Sequence, residues 1–189
     1  SGKTTLINVM LGLLKSSSGQ TLVNGNSVAD NLQALRRIVA YLPQQIFLTD
    51  DSLRNNIALG IQSNKISDRK IWTILEKVRL KEFVEDLPEG LDTMVGEHGM
   101  RLSGGQCQRV ALARSLYHDR SMLVLDESTS SLDGETEKRI ITELKELRGE
   151  KTIVMIAHRL TTLQHCDRIY SLNKNRTLTV VNYEDLLST

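Results

Sequence analysis

Apolar positions along the chain recur with two periods. Stretches with three-to-four-residue spacing alternate with short apolar runs, the pattern of a layered α/β domain with parallel strands. Residues 4–14 predict a helix in which Leu6, Ile7, Val9, Met10, Leu11, Leu13 and Leu14 run nearly all the way round, so burial on most sides is expected. Residues 15–19 break it. Short strands are predicted over 21–24, with a turn at Asn24-Gly25, and over 38–42, ended by Pro43. The character between residues 51 and 87 is helical. Ser67 is placed to cap a helix whose apolar stripe is Ile71, Ile74, Leu75 and Val78, and the stretch reads as a helical subdomain. A polar loop over 88–101 leads into a helix over 105–117. Strand, helix and strand follow at 122–126, 135–147 and 152–157, then strands at 168–172 and 177–181 and a short terminal helix. The chain shows no internal repeat and no low-complexity tract.

Composition narrows the function. Among 189 residues, 24 Lys and Arg stand against 23 Asp and Glu, for a net charge of +1 with 4% aromatic residues. That gives neither the basic stripe nor the stacking platform of a nucleic-acid binder, so no nucleic-acid partner is expected. Cys107 and Cys166 form no C-x-x-C pair, which argues against zinc and disulfides and for a reducing cytosol. The apolar runs 122–125 and 153–157 are far below the roughly 20 residues that cross a bilayer, and read as buried strands. The chain opens on Ser1 without a methionine, inside what reads as a motif, so a piece of a longer protein is expected.

Three segments carry chemistry. Gly2-Lys3-Thr4 at a helix start is the back half of a phosphate-binding loop. Backbone N–H groups and the helix dipole would cradle phosphates there, Lys3 would reach the terminal oxygens and Thr4 would offer a hydroxyl to Mg²⁺. By itself the tripeptide reads more readily as an ordinary frayed helix start with an exposed lysine. The run Leu123-Val124-Leu125-Asp126-Glu127 reads as a buried strand delivering two acids to the carboxyl edge of a sheet, where ligands bind in such folds. Asp126 would hold Mg²⁺ through water, and Glu127 could deprotonate an attacking water. Leu102-Ser103-Gly104-Gly105-Gln106 offers a hydroxyl, two glycines and a helix N-terminus, a second phosphate site.

In their order, these motifs resemble the ATP-binding domain of ABC transporters over essentially the whole chain. Gly2-Lys3-Thr4 resembles the end of the Walker A loop, with Ser1 and Thr5 beside it. Leu102 to Gln106 resemble the signature motif and Leu123 to Glu127 the Walker B strand. Gln44 resembles the glutamine that touches Mg²⁺ and water and couples the domain to membrane helices. Ser131-Leu132-Asp133 resembles the D-loop, and His158 the switch histidine that senses the γ-phosphate. The segment from Thr93 to Gly99 resembles the extra loop of exporter-type members. Cys107, Ser131 and the glycine-poor tail after Tyr170 depart from the family pattern without removing a catalytic role.

The resemblance implies a P-loop, RecA-like α/β core with a mainly parallel sheet (1–45 and 106–189) and an inserted helical subdomain carrying the signature (46–105). It implies ATP and Mg²⁺ as ligands, with Glu127, His158 and Gln44 catalytic and Thr4, Gln44 and Asp126 at the metal. It also implies a head-to-tail pair in which Leu102, Ser103, Gly104, Gly105 and Gln106 act on the partner's ATP. The expected activity is ATP hydrolysis powering export through a transmembrane domain, preceding this one in the same chain, at the cytoplasmic face of a bacterial inner membrane. Lipid, glycolipid, peptide and drug cargoes stay open. The alternative is a soluble ATPase of the same type acting on DNA or ribosomes. Against it, only a compact stretch joins the first motif to the signature, where chromosome proteins of this type place long coiled coils.

Overall fold

The computed structural model describes residues 2–126, 134–157, 159–173 and 175–187; within the helix over 134–146 the side chains at 136, 139 and 143 are not described. In chain order the helices are α1 (Lys3–Met10), α2 (Leu32–Ile38), α3 (Leu53–Ile57), α4 (Asp68–Lys77), α5 (Lys81–Glu85), α6 (Gly104–Tyr117), α7 (Gly134–Glu146), α8 (Leu160–Leu163) and α9 (Tyr183–Leu187). The strands are β1 (Leu22–Val23), β2 (Asn26–Ser27), β3 (Val39–Leu42), β4 (Asp51–Ser52), β5 (Met94–Val95), β6 (Met122–Asp126), β7 (Thr152–Ile156), β8 (Ile169–Leu172) and β9 (Leu178–Val181).

The centre is a parallel sheet of order β3-β6-β7, in which Leu42 pairs with Leu125 and Asp126 with Ile156. The parallel α/β core expected from the alternating periods is therefore present. Leu123, Val124 and Leu125 are buried, as a strand covered on both faces requires. The last two strands do not join this sheet: β8 and β9 form their own antiparallel hairpin. Asn24 and Gly25 both adopt positive φ and close the β1–β2 hairpin, as the Asn-Gly pair predicts.

Sequence and structure differ at the first helix. It stops at Met10 rather than reaching residue 14, because Gly12 takes φ +66° and the chain closes a left-handed C-cap. The Gly12 N–H donates to Val9 O and the Leu13 N–H to Asn8 O, the two bonds of the Schellman motif. A side chain at Gly12 would run into Leu32. Nor is the helix buried all round. Ile7 is its one buried residue, while Leu13 and Leu14 beyond it are exposed.

The helical region between β3 and β6 packs as expected around α4. The Ser67 hydroxyl accepts from the Lys70 N–H, and Ile71, Ile74, Leu75 and Val78 are 0%, 6%, 0% and 1% exposed. Each such side chain contributes about 1.5–3 kcal/mol relative to leaving it in water. The short helices α3 and α5 fall within the stretch expected to be helical, whereas α2 is an addition that the apolar periodicity does not announce. Arg54 on α3 chelates Asp92 (3.1 and 3.0 Å) and also pairs with Asp68, bringing α3, the start of α4 and the turn over 90–92 together. The segment 88–101 is more than a polar loop, since Leu91 and Val95 are buried and β5 pairs with β4. Helix α6 packs on α3, α4 and β3, and so stands between the helical region and the sheet.

Candidate nucleotide site

Because β3, β6 and β7 are parallel and in register, their carboxyl ends meet at one edge of the sheet. Gln44 lies there, exposed, two residues past Leu42 and just beyond Pro43. Asp126 is the last residue of β6 and is 2% exposed. Ala157 follows β7 at the same edge. Glu127 and His158 come next in sequence after Asp126 and Ala157, but both lie outside the described residues, as do Ser1 and the Ser131-Leu132-Asp133 segment. Among the described residues, the topology thus brings Gln44, Asp126 and Ala157 to the edge where α/β folds bind ligands.

Asp126 carries the distinctive chemistry of that edge. Its Oδ2 accepts a hydrogen bond from the Tyr41 hydroxyl at 3.3 Å. Its Oδ1 is buried with no hydrogen-bond partner among the described residues. Leaving a buried acceptor unmet costs about 1–3 kcal/mol, and more for a charged one, so such an oxygen invites a cation or its water. A hydrated Mg²⁺ fits this oxygen, since it takes oxygen donors and keeps several waters. The Tyr41 phenol is pushed up, first by burial and then by the neighbouring Asp126 charge. Tyr41 escaped the motif reading. The one signal for it is its place in β3, opposite Val124, which becomes visible only when the strands are paired.

At the start of α1, Gly2 sits at φ +85°, ψ −4°, a left-handed conformation that disfavours any side chain. Gly2 offers no side chain to cap this helix, and a helix N-terminus of this kind suits an anion. Thr4 and Thr5 are exposed. Lys3 is half-buried at the rim of a largely apolar cleft of about 1070 Å³, whose wall includes Ile156, Ala157, Ile169 and Leu172.

The signature segment is built differently. The Ser103 hydroxyl accepts from the Gln106 N–H at 3.2 Å, and the Ser103 N–H donates to Gln106 Oε1 at 2.7 Å. This is a capping box, and the S-x-x-Q spacing of residues 103 to 106 encodes it in the sequence. The Ser103 oxygen is engaged as an acceptor, which leaves its O–H proton to donate outward. Ser103 and Gly104 face solvent, whereas Leu102 and Gly105 are half-buried. Behind them α6 is anchored by the buried Gln108, Val110, Ala111, Leu112 and Ala113.

The loop before the signature is held tightly. His98 donates its N–H to Asp50 Oδ1 at 3.0 Å, and its Nδ1 lies 2.6 Å from Asp50 Oδ2. The His98 N–H bond, followed by its ring, holds the Asp50 carboxyl below the usual carboxylate range. Gly96, at φ +108°, leaves no room for a Cβ against Asp50, and Gly99 none against Met94.

A parallel sheet with a carboxylate at its carboxyl edge that is unmet among the described residues, a glycine-started helix and a second serine-glycine helix start fit the α/β fold of the P-loop class. The chain belongs to the ABC transporter family, whose profile matches residues 1–130. It is similar to the ATP-dependent lipid A-core flippase of Ralstonia nicotianae, 39% identical over 99% of this chain and 32% of the relative. The flippase of the same name from Alkalilimnicola ehrlichii is 42% identical over the same shares. Among solved structures, a bacterial Atm1-family ABC exporter with ATP bound superposes with a TM-score of 0.89 at 33% identity, over 99% of this chain and 32% of that one. The chain therefore spans about a third of the length of these relatives. No helix among the described residues is long and apolar enough to cross a membrane.

Proposed function

We propose that the chain is the motor of a bacterial exporter, hydrolysing ATP to move a lipid or lipid-linked cargo across the inner membrane. The observation that carries the site is the buried Oδ1 of Asp126, without a hydrogen-bond partner among the described residues, at the carboxyl edge of the parallel sheet. The lipid cargo rests on the names of the relatives, and export also on the ATP-bound exporter of similar fold.

The first-turn amides of α1, with Lys3, bind the β- and γ-phosphates. Thr4, Gln44 and, through water, Asp126 would hold Mg²⁺, which when bound draws charge from the phosphate oxygens. Tyr41 fixes one Asp126 oxygen and turns the other toward the site. Glu127 takes the proton of the attacking water, and His158 contacts the γ-phosphate. A second copy, packed head to tail, brings the outward Ser103 hydroxyl and the Gly104 and Gly105 amides onto that phosphate, with the 131–133 segment alongside. Donors that arrive only on closure couple phosphate occupancy to a large movement. A transmembrane domain upstream in the same chain takes up that movement, with Gln44 and residues 93–99 facing it.

The test is to express the chain with its upstream coding segment in proteoliposomes, and to follow phosphate release together with flipping of a labelled lipid. ATP-dependent flipping is expected. Phosphate release without lipid movement would remove the cargo assignment and keep the ATPase. A frame that begins close to Ser1 would favour a separate subunit or a soluble ATPase.

A further inference from the structure

Helix α6 begins at the signature, and further along it carries an arginine bonded to distant parts of the chain. Arg114 Nε donates to Asn56 O at 2.7 Å, Nη2 to Asn56 Oδ1 at 3.2 Å and Nη1 to Phe47 O at 3.3 Å. Asn56, on α3, is 0% exposed. Its Oδ1 also accepts from Thr49 N (2.9 Å) and Thr49 Oγ1 (3.1 Å), and its Nδ2 donates to the carbonyls of Thr49, Asp51 and Ser52 at 3.0–3.2 Å. The segment that follows Gln44 is thus held through its peptide groups by two side chains, one of them from the signature helix. Asp50, in the same segment, holds His98 of the loop that precedes the signature.

The partners of Arg114 are all carbonyl or amide oxygens, and none of those described is a carboxylate. Burial works against its charge. A guanidinium whose only task is to bind two helices gains more from a carboxylate, whereas a planar fork spread over three oxygens fixes where a stretch of backbone lies. A lysine, with one ammonium in place of the fork, cannot hold the same set.

We infer that Arg114 is a positioning residue that joins the signature helix to the segment behind Gln44, so that the two motifs shift as one body when nucleotide binds. The inference rests on the ATPase reading above. The test compares the full-length wild-type protein with Arg114→Lys, and with Arg114→Gln should the first not fold. The readouts are ATPase kinetics, melting temperature and deuterium exchange of peptides covering residues 44–52 and 103–108, with and without Mg-ATP. In the wild type both peptides should change exchange on adding Mg-ATP. In Arg114→Lys the 44–52 peptide should still respond while 103–108 loses its response. kcat should fall about tenfold with KM within about twofold, a split that points to an interaction made beyond ground-state binding, and the melting temperature should stay within about 4 °C. Wild-type kcat in the variant, an unchanged response of both peptides, or lower stability with no such split would overturn the inference and leave the ATPase reading intact. A wild type that neither binds nor hydrolyses ATP would overturn both.

Discussion

The two helix starts proposed to face phosphate are built in opposite ways. Helix α6 has a reciprocal side-chain cap and runs for 14 residues, seven of them buried. Helix α1 has eight residues and one buried side chain, and begins at a left-handed glycine with no side-chain cap. The signature start is capped within this chain, the Ser103 and Gln106 N–H groups paired reciprocally and the Ser103 hydroxyl left to donate. The phosphate start keeps its donors uncommitted and so needs its ligand to complete it. A half-site of the first kind can dock rigidly onto ATP already held by a half-site of the second kind. That division suits a machine in which nucleotide binds first and closure follows.

The largest expected effect tests whether chemistry belongs to the sheet edge rather than to either helix start. Glu127→Gln should lower phosphate release by about 10²–10⁴-fold, the usual contribution of a general base, while ATP affinity holds and an ATP-bound pair accumulates. Unchanged release would move the base elsewhere. Next comes the uncommitted start. Lys3→Ala removes charge-assisted contacts worth roughly 1.5–3 kcal/mol each, so ATP affinity measured by titration should fall about 10²-fold. Near-normal binding would show that the glycine-lysine-threonine start is incidental.

The finished start should lose folding stability as well as function. Ser103→Ala deletes the cap, at a cost of about 1 kcal/mol and a fall in melting temperature of roughly 2–4 °C for a domain of this size. A melting curve identical to wild type would mean that the box contributes nothing in solution. The smallest effect concerns the loop before α6. The Asp50 carboxyl is depressed in the folded protein, so its stabilisation is present above the ordinary aspartate range and is lost as pH falls through the lower folded value. Exchange of residues 96–99 should stay slow at neutral pH and rise only in acid, whereas Asp50→Asn should free the loop at every pH. Loosening of the wild-type loop already at neutral pH would mean that the Asp50 carboxylate does not hold it.

Much of this comparison was legible in the sequence, for identifiable reasons. Periodicity located β6, α4 and α6 to within a residue or so, because each has a continuous apolar face to bury. The end of α1 was misjudged because leucine spacing was weighed above Gly12, although a glycine past a helix is itself a stop signal. The helical stretch over 51–87 was legible as such, but the bounds of α3 and α5 within it were not, since each is five residues long and is held by long-range bonds such as Arg54 to Asp92. The motif residues declared themselves by type and order. Tyr41 and Arg114 did not, because the role of each depends on a partner 85 or 58 positions away.

The central claim is that the open half-site and the finished half-site act on the same ATP from two different copies. The direct measurement mixes a full-length Lys3→Ala variant with a Ser103→Arg variant and counts occluded ATP by trapping. Alone, each variant has every composite site damaged and should trap almost none. In a mixed pair, one site takes Lys3 from the second variant and Ser103 from the first and is intact, so random pairing should restore about a quarter of the wild-type sites. No recovery on mixing, with mixed pairs shown to form, would place both half-sites on one copy and contradict the claim.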